Sequence, residues 1–195
     1  IAGLLNNGFK NVIPILDNKE ELQHYKKTVK VPFKLGIRVA AEEEPNFPFY
    51  TSRLGMRARD VLEFYVDKIE GQEDRFQLKM LHIFLNKGIK DDIYYWSELN
   101  KVINLYCQLK KICPELDSIN IGGGFPAHYQ TSVAPVSAYA TAILGAMKKH
   151  FGENLPQMII EPGRSLVGQG VEADPLLAAR PVEEEVRGDA VQPAL

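Results

Sequence analysis

Residues 116–124 (Leu-Asp-Ser-Ile-Asn-Ile-Gly-Gly-Gly) join a short apolar segment to three consecutive glycines. We predict a strand from Leu116 to Ile121 that stops where the glycines begin. Glycines let backbone N–H groups approach an anion closely, and they adopt positive φ angles without strain. The alternative is a plain flexible turn, and the triplet does not match the G-x-G-x-x-G pattern of a dinucleotide site. Alone, the triplet leaves both interpretations open.

Strand and helix patterns alternate on both sides of this junction. Residues 1–8 have the pattern of the last turns of a helix, with Gly8 as its C-cap. Because the earlier turns of that helix are not in the sequence, we expect further sequence upstream. Predicted strands then cover residues 12–16, 33–39, 76–84, 116–121 and 157–161. Predicted helices between them run from a cap at Asp17 or Asn18 to Thr28, and over 58–69, 92–112 and 136–151. Single helices between strands imply right-handed crossovers and a parallel sheet, either open and doubly wound or part of an eight-stranded barrel.

Two of the helices carry apolar residues at helical spacing, which predicts their buried faces. In the helix over 58–69 these residues are Val61, Leu62, Tyr65 and Val66. In the helix over 92–112 they are Ile93, Trp96, Leu99, Val102, Ile103, Tyr106 and Leu109, and Glu98, Lys101, Asn104, Gln108 and Lys111 are predicted to face away.

The composition is that of an ordinary soluble domain. The 195 residues are 45% hydrophobic and 25% charged, with a net charge of −2 that gives no electrostatic case for nucleic acid. We find no membrane-length apolar run and no signal peptide. The cysteines, Cys107 and Cys113, match no zinc or redox motif, and we expect a cytoplasmic protein.

Residues 161–164 (Glu-Pro-Gly-Arg) end the last predicted strand. Glu161 would lie at the carboxyl end of that strand, which is the catalytic face of a (β/α) barrel. Arg164 could form a bidentate contact with a phosphate. A surface Glu and Arg around a Pro-Gly turn is the alternative. Because barrels often bind phosphate with the loops after their last two strands, the glycine triplet and Arg164 together favour a phosphate site.

Together, Gly122-Gly123-Gly124-Phe125-Pro126 and Glu161-Pro162-Gly163-Arg164 resemble the pyridoxal-phosphate (PLP)-dependent decarboxylases of ornithine, arginine and diaminopimelate. The resemblance implies an α/β fold that is part of an alanine-racemase-like barrel, about its fourth to eighth strands. Residues 1–126 are most similar to biosynthetic arginine decarboxylases, and residues 127–168 to bacterial ornithine or lysine decarboxylases. We therefore expect a partial PLP-binding barrel over 1–170 and a divergent, disordered tail over 171–195.

The resemblance also implies roles for individual residues. Glu161 would pair with the pyridine nitrogen of PLP and keep it protonated, so that the ring accepts electrons as CO₂ leaves. His82 would stack on the ring; the alternative is a core histidine. Arg38 would contact the cofactor's surroundings; the alternative is a strand-end charge paired with Glu42, Glu43 or Glu44. The cofactor phosphate would be held by the backbone of Gly122, Gly123 and Gly124 and by Arg164.

The chain also departs from the family pattern. The family has small residues, often Gly-Ser, after the histidine, whereas residues 83–88 are Ile-Phe-Leu-Asn-Lys-Gly. The family's Schiff-base lysine lies on an earlier barrel strand, and its C-terminal β-domain completes the site across a homodimer. Lys34 would lie about 13 Å along the strand from Arg38, and Lys79 has the opposite parity from His82, so neither is a replacement.

We therefore expect a fragment of a decarboxylase that acts on a small amino-acid substrate, arginine or ornithine, in polyamine biosynthesis, and that is inactive alone. One alternative is a non-catalytic PLP-binding or regulatory homologue. A second is another phosphate-binding barrel, such as one for a sugar phosphate, which would need neither Glu161 nor His82.

Overall fold

A computed structural model describes residues 1–41, 54–85, 92–125 and 135–163. Five strands form one sheet in chain order: β1 (Ile15–Leu16), β2 (Phe33–Val39), β3 (Phe76–Ile83), β4 (Ser118–Asn120) and β5 (Gln157–Ile159). All four neighbouring pairs are parallel. The helices are α1 (Ala2–Asn6), α2 (Lys19–Thr28), α3 (Ala58–Lys68), α4 (Asp92–Lys110) and α5 (Val136–Phe151). An open doubly wound sheet would reverse its strand order at a switch point, so the sequential order is that of a barrel segment.

The two faces of the sheet differ in character. Along β2, Phe33, Leu35, Ile37 and Val39 are buried, whereas Arg38 is part-buried and Lys34 is exposed on the opposite face. A bulge follows: Leu35 pairs with Leu78, but Gly36 pairs with Met80, so Lys79 is an extra residue in β3. The bulge places Arg38 opposite His82.

The ends of the first two helices follow their cap residues. Gly8 has a φ of 85°, and the N–H groups of Gly8 and Phe9 donate to the carbonyls of Leu5 and Leu4, as in a Schellman motif. Of the two caps considered for α2, Asn18 accepts the N–H of Glu21 at 3.0 Å. Glu21 Oε2 accepts the Asp17 N–H at 2.7 Å. These bonds fix the turn that carries Asp17.

The helix boundaries agree closely with the predictions, but two buried faces do not. In α3, Val66 is 50% exposed and Phe64 is 4% exposed, so the prediction for Val66 is wrong. In α4, Ile93 is 86% exposed and Glu98 is buried, where the reverse was expected. The phase is set by Leu99 and the buried residues after it, and one turn back from Leu99 is the buried Tyr95 rather than Ile93.

Glu98 is accommodated in the interior by a charged partner. The Lys101 ammonium donates to Glu98 Oε1 at 2.7 Å, one helical turn away. No helix among the described residues is long and apolar enough to cross a membrane. Glu42, Glu43, Glu44, residues 86–88 and the 171–195 tail lie outside the described residues, as does the predicted end of the barrel at 170.

Two substitutions in α3 test whether Phe64 is buried and Val66 is exposed. We expect Phe64→Ala to lower the free energy of unfolding by about 3–5 kcal/mol, because it leaves a cavity in the core. Val66→Ala should change it by less than about 0.5 kcal/mol. Urea denaturation followed by circular dichroism measures both values, and equal losses would contradict this orientation of α3.

Candidate functional site

A row of polar side chains crosses the sheet at the carboxyl ends of the strands. Arg38 pairs in register with His82, and His82 pairs with Asn120. Asn120 in turn pairs with Ile159, two residues before Glu161. Asp17 directly follows β1, whose last residue pairs with Ile37, so it lies level with Arg38. The register therefore gathers residues that are far apart in sequence along one edge.

Glu161 is held from the neighbouring strand. Asn120 Nδ2 donates to Glu161 Oε1 at 2.8 Å. His82 Nε2 lies 3.7 Å from the same oxygen, which is an ion-pair distance but too long for a good hydrogen bond. The carboxylate is thus fixed by an amide and lies beside an imidazole.

Arg38 is anchored on two sides. Its Nη1 lies 3.2 Å from Asp17 Oδ1, and its guanidinium carbon lies 5.7 Å from the centre of the Phe84 ring. The distance to the ring is within the range of a cation–π contact. Asp17 is therefore a partner of Arg38 that the sequence interpretation did not name. The alternative partners, Glu42 to Glu44, lie outside the described residues.

The His82 side chain is part-buried, and its two ring nitrogens are shielded from solvent. Neither Nδ1 nor Nε2 has a hydrogen-bond partner within the described part of the chain. Burial lowers the pKa of His82; the Glu161 carboxylate opposes this, Arg38 adds to it, and Asp17 opposes it. The lowered pKa favours the neutral imidazole at pH 7. A buried polar atom without a partner costs stability unless a ligand or ordered water satisfies it, so His82 fits a site that a ligand completes.

The glycine loop is tightly packed against both neighbouring strand ends. A Cβ on Gly122 would lie 2.6 Å from the Ile83 carbonyl oxygen, and one on Gly123 would lie 2.5 Å from the Glu161 carbonyl oxygen. Gly122 and Gly124 have φ angles of 68° and 86°. Each of the three positions therefore requires glycine, either because a side chain would clash or because φ is positive. A merely flexible turn would have no such requirement.

The backbone of Gly122 is already used within the protein. Its N–H donates to Asn120 Oδ1 at 2.9 Å, and its carbonyl accepts the Glu161 N–H at 2.8 Å. The N–H groups of Gly123 and Gly124 make no hydrogen bond among the described residues. These two groups are the ones that remain for an anion.

Seven site residues were predicted from sequence. Five of them lie together at the carboxyl ends of the strands: Arg38, His82, Gly122, Gly123 and Glu161. Gly124 follows in the same loop. Arg164 lies outside the described residues. Sequence interpretation missed Asn120 and Asp17. Asn120 is a polar residue in an apolar strand and shares a face with Gly122, two residues later. This pattern could have predicted that its side chain lies at the site. Asp17 had been considered only as a helix cap.

Comparison with known proteins agrees with this architecture. Residues 4–168 match the family described as "Pyridoxal-dependent decarboxylase, pyridoxal binding domain". The chain belongs to this family. The predicted family, its PLP cofactor and the α/β partial-barrel fold are thereby confirmed, and members of the family are PLP-dependent decarboxylases.

The individual relatives are distant. The diaminopimelate decarboxylase of Methanocaldococcus jannaschii is 23% identical over 72% of this chain and 33% of its own length. The biosynthetic arginine decarboxylase of Vibrio cholerae is 22% identical over 80% of this chain and 27% of its own length. This chain thus spans about a third or less of either enzyme.

Two solved structures share the fold. Helicobacter pylori diaminopimelate decarboxylase complexed with L-lysine superposes with a TM-score of 0.65 at 20% identity, over 85% of this chain and 44% of that one. Campylobacter jejuni biosynthetic arginine decarboxylase SpeA gives 0.63 at 21% identity, over 85% and 30%.

Adding a methyl group at Gly123 tests the close approach of the loop to Glu161. We expect Gly123→Ala to destabilise the protein by about 1–3 kcal/mol, because backbone atoms rather than a flexible side chain must move. Gly145→Ala is the control: Gly145 is exposed in α5 with nothing within 4 Å of its Cβ position. That substitution should stabilise the protein by about 0.5–1 kcal/mol. The same sign for both changes in thermal unfolding would contradict the packing.

The lowered pKa of His82 predicts a pH dependence of stability. The folded protein disfavours the charged imidazole of His82. The resulting contribution to the free energy of unfolding is fully present above the unfolded pKa of about 6.5 and is lost as pH falls through the lower folded pKa. The free energy of unfolding should therefore fall more steeply from pH 7.5 to 5 in the native protein than in His82→Gln. His24→Gln, at an exposed position in α2, is the control and should follow the native protein.

Proposed function

We propose that the edge formed by His82, Asn120, the glycine loop and Glu161 is the PLP site of a decarboxylase for a basic amino acid. The observation that carries this proposal is the carboxylate of Glu161, whose Oε1 lies 2.8 Å from Asn120 Nδ2, beside two loop N–H groups that make no hydrogen bond among the described residues. A carboxylate and a separate anion-binding loop suit a ligand with a protonated ring nitrogen and a phosphate.

The residues present fit PLP. The N–H groups of Gly123 and Gly124, with Arg164, would hold the phosphate, and Glu161 would accept a hydrogen bond from the pyridine nitrogen. Bound PLP supplies an electron sink for the loss of the α-carboxylate as CO₂. A neutral His82 adds no second positive charge beside a protonated ring, so Glu161 remains the nearest opposite charge to that ring.

For the substrate, we propose arginine or ornithine, in polyamine biosynthesis, with diaminopimelate as the alternative. The relatives described above include a diaminopimelate decarboxylase and a biosynthetic arginine decarboxylase. Those amino acids share a cationic group far from the α-carbon. We further propose a cytoplasmic protein whose site is completed across a homodimer; the unpaired thiols of Cys107 and Cys113 suit a reducing compartment.

We also propose that this chain releases no CO₂ by itself. In β2, Lys34 is exposed and lies about 13 Å along the strand from Arg38. In β3, Lys79 Nζ is paired with Asp117 Oδ2 at 3.3 Å. Neither strand lysine is placed to bond covalently to a cofactor at the carboxyl edge.

Titration of the purified chain with PLP, followed by absorbance and by quenching of the fluorescence of Trp96, tests the site. We expect saturable binding that Glu161→Gln weakens about tenfold or more, because a charge-assisted hydrogen bond is lost. Glu153→Gln, an exposed change before β5, is the matched control and should bind like the native chain. Absence of saturable binding would overturn the proposed site.

The same titration separates the rival phosphate-binding barrel. A sugar-phosphate site needs no partner for a ring nitrogen, so Glu161→Gln would leave binding of a sugar phosphate unchanged. Release of labelled CO₂ from arginine, ornithine or diaminopimelate by the chain with PLP should stay at the background level. Measurable release would show that a local lysine does substitute.

A further inference from the structure

Asn120 connects the two parts of the site. It lies in β4 and is 7% exposed. Its Oδ1 accepts the Gly122 N–H at 2.9 Å, and its Nδ2 donates to Glu161 Oε1 at 2.8 Å. One buried amide thus touches both the loop that carries the anion-binding N–H groups and the carboxylate that would face the ring nitrogen.

The orientation of this amide is fixed by its partners. A backbone N–H can only donate, so the oxygen of Asn120 must face Gly122. The amide NH₂ must then face Glu161, where a carboxylate can only accept. A hydrogen bond from an amide to a carboxylate is charge-assisted and stronger than one between two neutral groups.

Among the described residues, the contact with Asn120 is the one hydrogen bond that the Glu161 carboxylate makes. Its side chain is 53% exposed, and a glutamate at that exposure has several rotamers open to it. The Glu161 N–H donates to the Gly122 carbonyl, which completes a ring of three hydrogen bonds through Asn120, Gly122 and Glu161. Both the Asn120 and the His82 contacts involve Oε1, and neither involves Oε2.

We propose that Asn120 is a positioning residue: by fixing Oε1 of Glu161 it leaves Oε2 to accept a hydrogen bond from the ring nitrogen of a cofactor held by the glycine loop. This inference rests on the proposed function for its ligand. The hydrogen-bonded ring itself is a property of the chain without ligand, so the two can be tested separately.

The first measurement uses the full chain without cofactor and follows His82 by NMR during a pH titration. The charged groups that face His82 are Glu161, Arg38 and Asp17. Because the carboxylate raises the pKa of His82, Glu161→Gln should lower it. Asn120→Ala should lower it as well, since the unheld carboxylate turns into solvent. The double variant should show little further change, because Asn120 acts through Glu161.

The control is Ser118→Ala, which removes another buried polar group two residues earlier in β4. It should leave the His82 titration unchanged. If Asn120→Ala also leaves it unchanged while Glu161→Gln lowers it, Asn120 does not position the carboxylate and the proposal is wrong. Additive shifts in the double variant would equally count against it.

A second measurement does not depend on the folding of an Asn120 variant. In the native chain, the side-chain amide resonances of Asn120 should shift as Glu161 is protonated. This shift should be absent in Glu161→Gln, a substitution at a half-exposed position. Amide resonances that behave identically in the two proteins would show that the hydrogen bond to Glu161 is absent.

Titration with PLP then tests whether the hydrogen-bonded ring of Asn120, Gly122 and Glu161 contributes to ligand binding. Asn120→Ala should weaken binding about tenfold, and Ser118→Ala should not. If the native chain binds no PLP while the two NMR results hold, the proposed function fails but the hydrogen-bonded ring stands. If PLP binds and Asn120→Ala has native affinity, the positioning role fails and the proposed function stands.

Discussion

The close approach of the glycine loop to the backbone of Glu161 is the constraint on which the site depends. Without a Cβ, Gly123 lets the carboxyl ends of β4 and β5 come together, and the Glu161 N–H bonds the Gly122 carbonyl. At this separation Asn120, which bonds the Gly122 N–H two residues away, also reaches the Glu161 carboxylate across the strands. A methyl group at Gly123 would therefore disturb the carboxylate by displacing the Glu161 backbone, whose carbonyl oxygen would lie 2.5 Å from the added carbon.

The bulge at Lys79 is the second requirement, because it sets which residues share an edge. In a parallel pair, side chains on one face alternate with a period of two, and one inserted residue shifts every later pairing. With the bulge, Met80 lies opposite Gly36, and His82 lies opposite Arg38. Met80 and His82 then pair with Ser118 and Asn120 in β4, so one irregularity aligns the polar row across three strands.

The pattern of strands and helices was readable from sequence, but the pairing between strands was not. Hydrophobic periodicity located α5 and β2 to the residue, since each has a strong local signal. Periodicity misjudged Val66 and Ile93 because a helix surface has several apolar residues and only contacts in the folded protein select the buried ones. Asn120 and Asp17 were missed for a related reason: their roles depend on register and on partners 41 and 21 positions away.

The charges along the edge follow from which groups reach water. Arg38 and Asp17 are each part-exposed and neutralise one another, so the pair can persist as ions at modest cost. His82 has no such partner at hydrogen-bond distance among the described residues and is more buried, which lowers its pKa and favours the neutral imidazole. Glu161 is half-exposed and bonded by Asn120, and no cationic side chain of the described residues lies within hydrogen-bond distance of its carboxylate. Under the proposed function, this negative charge and the N–H groups of the glycine loop together suit a ligand that is cationic at one end and anionic at the other.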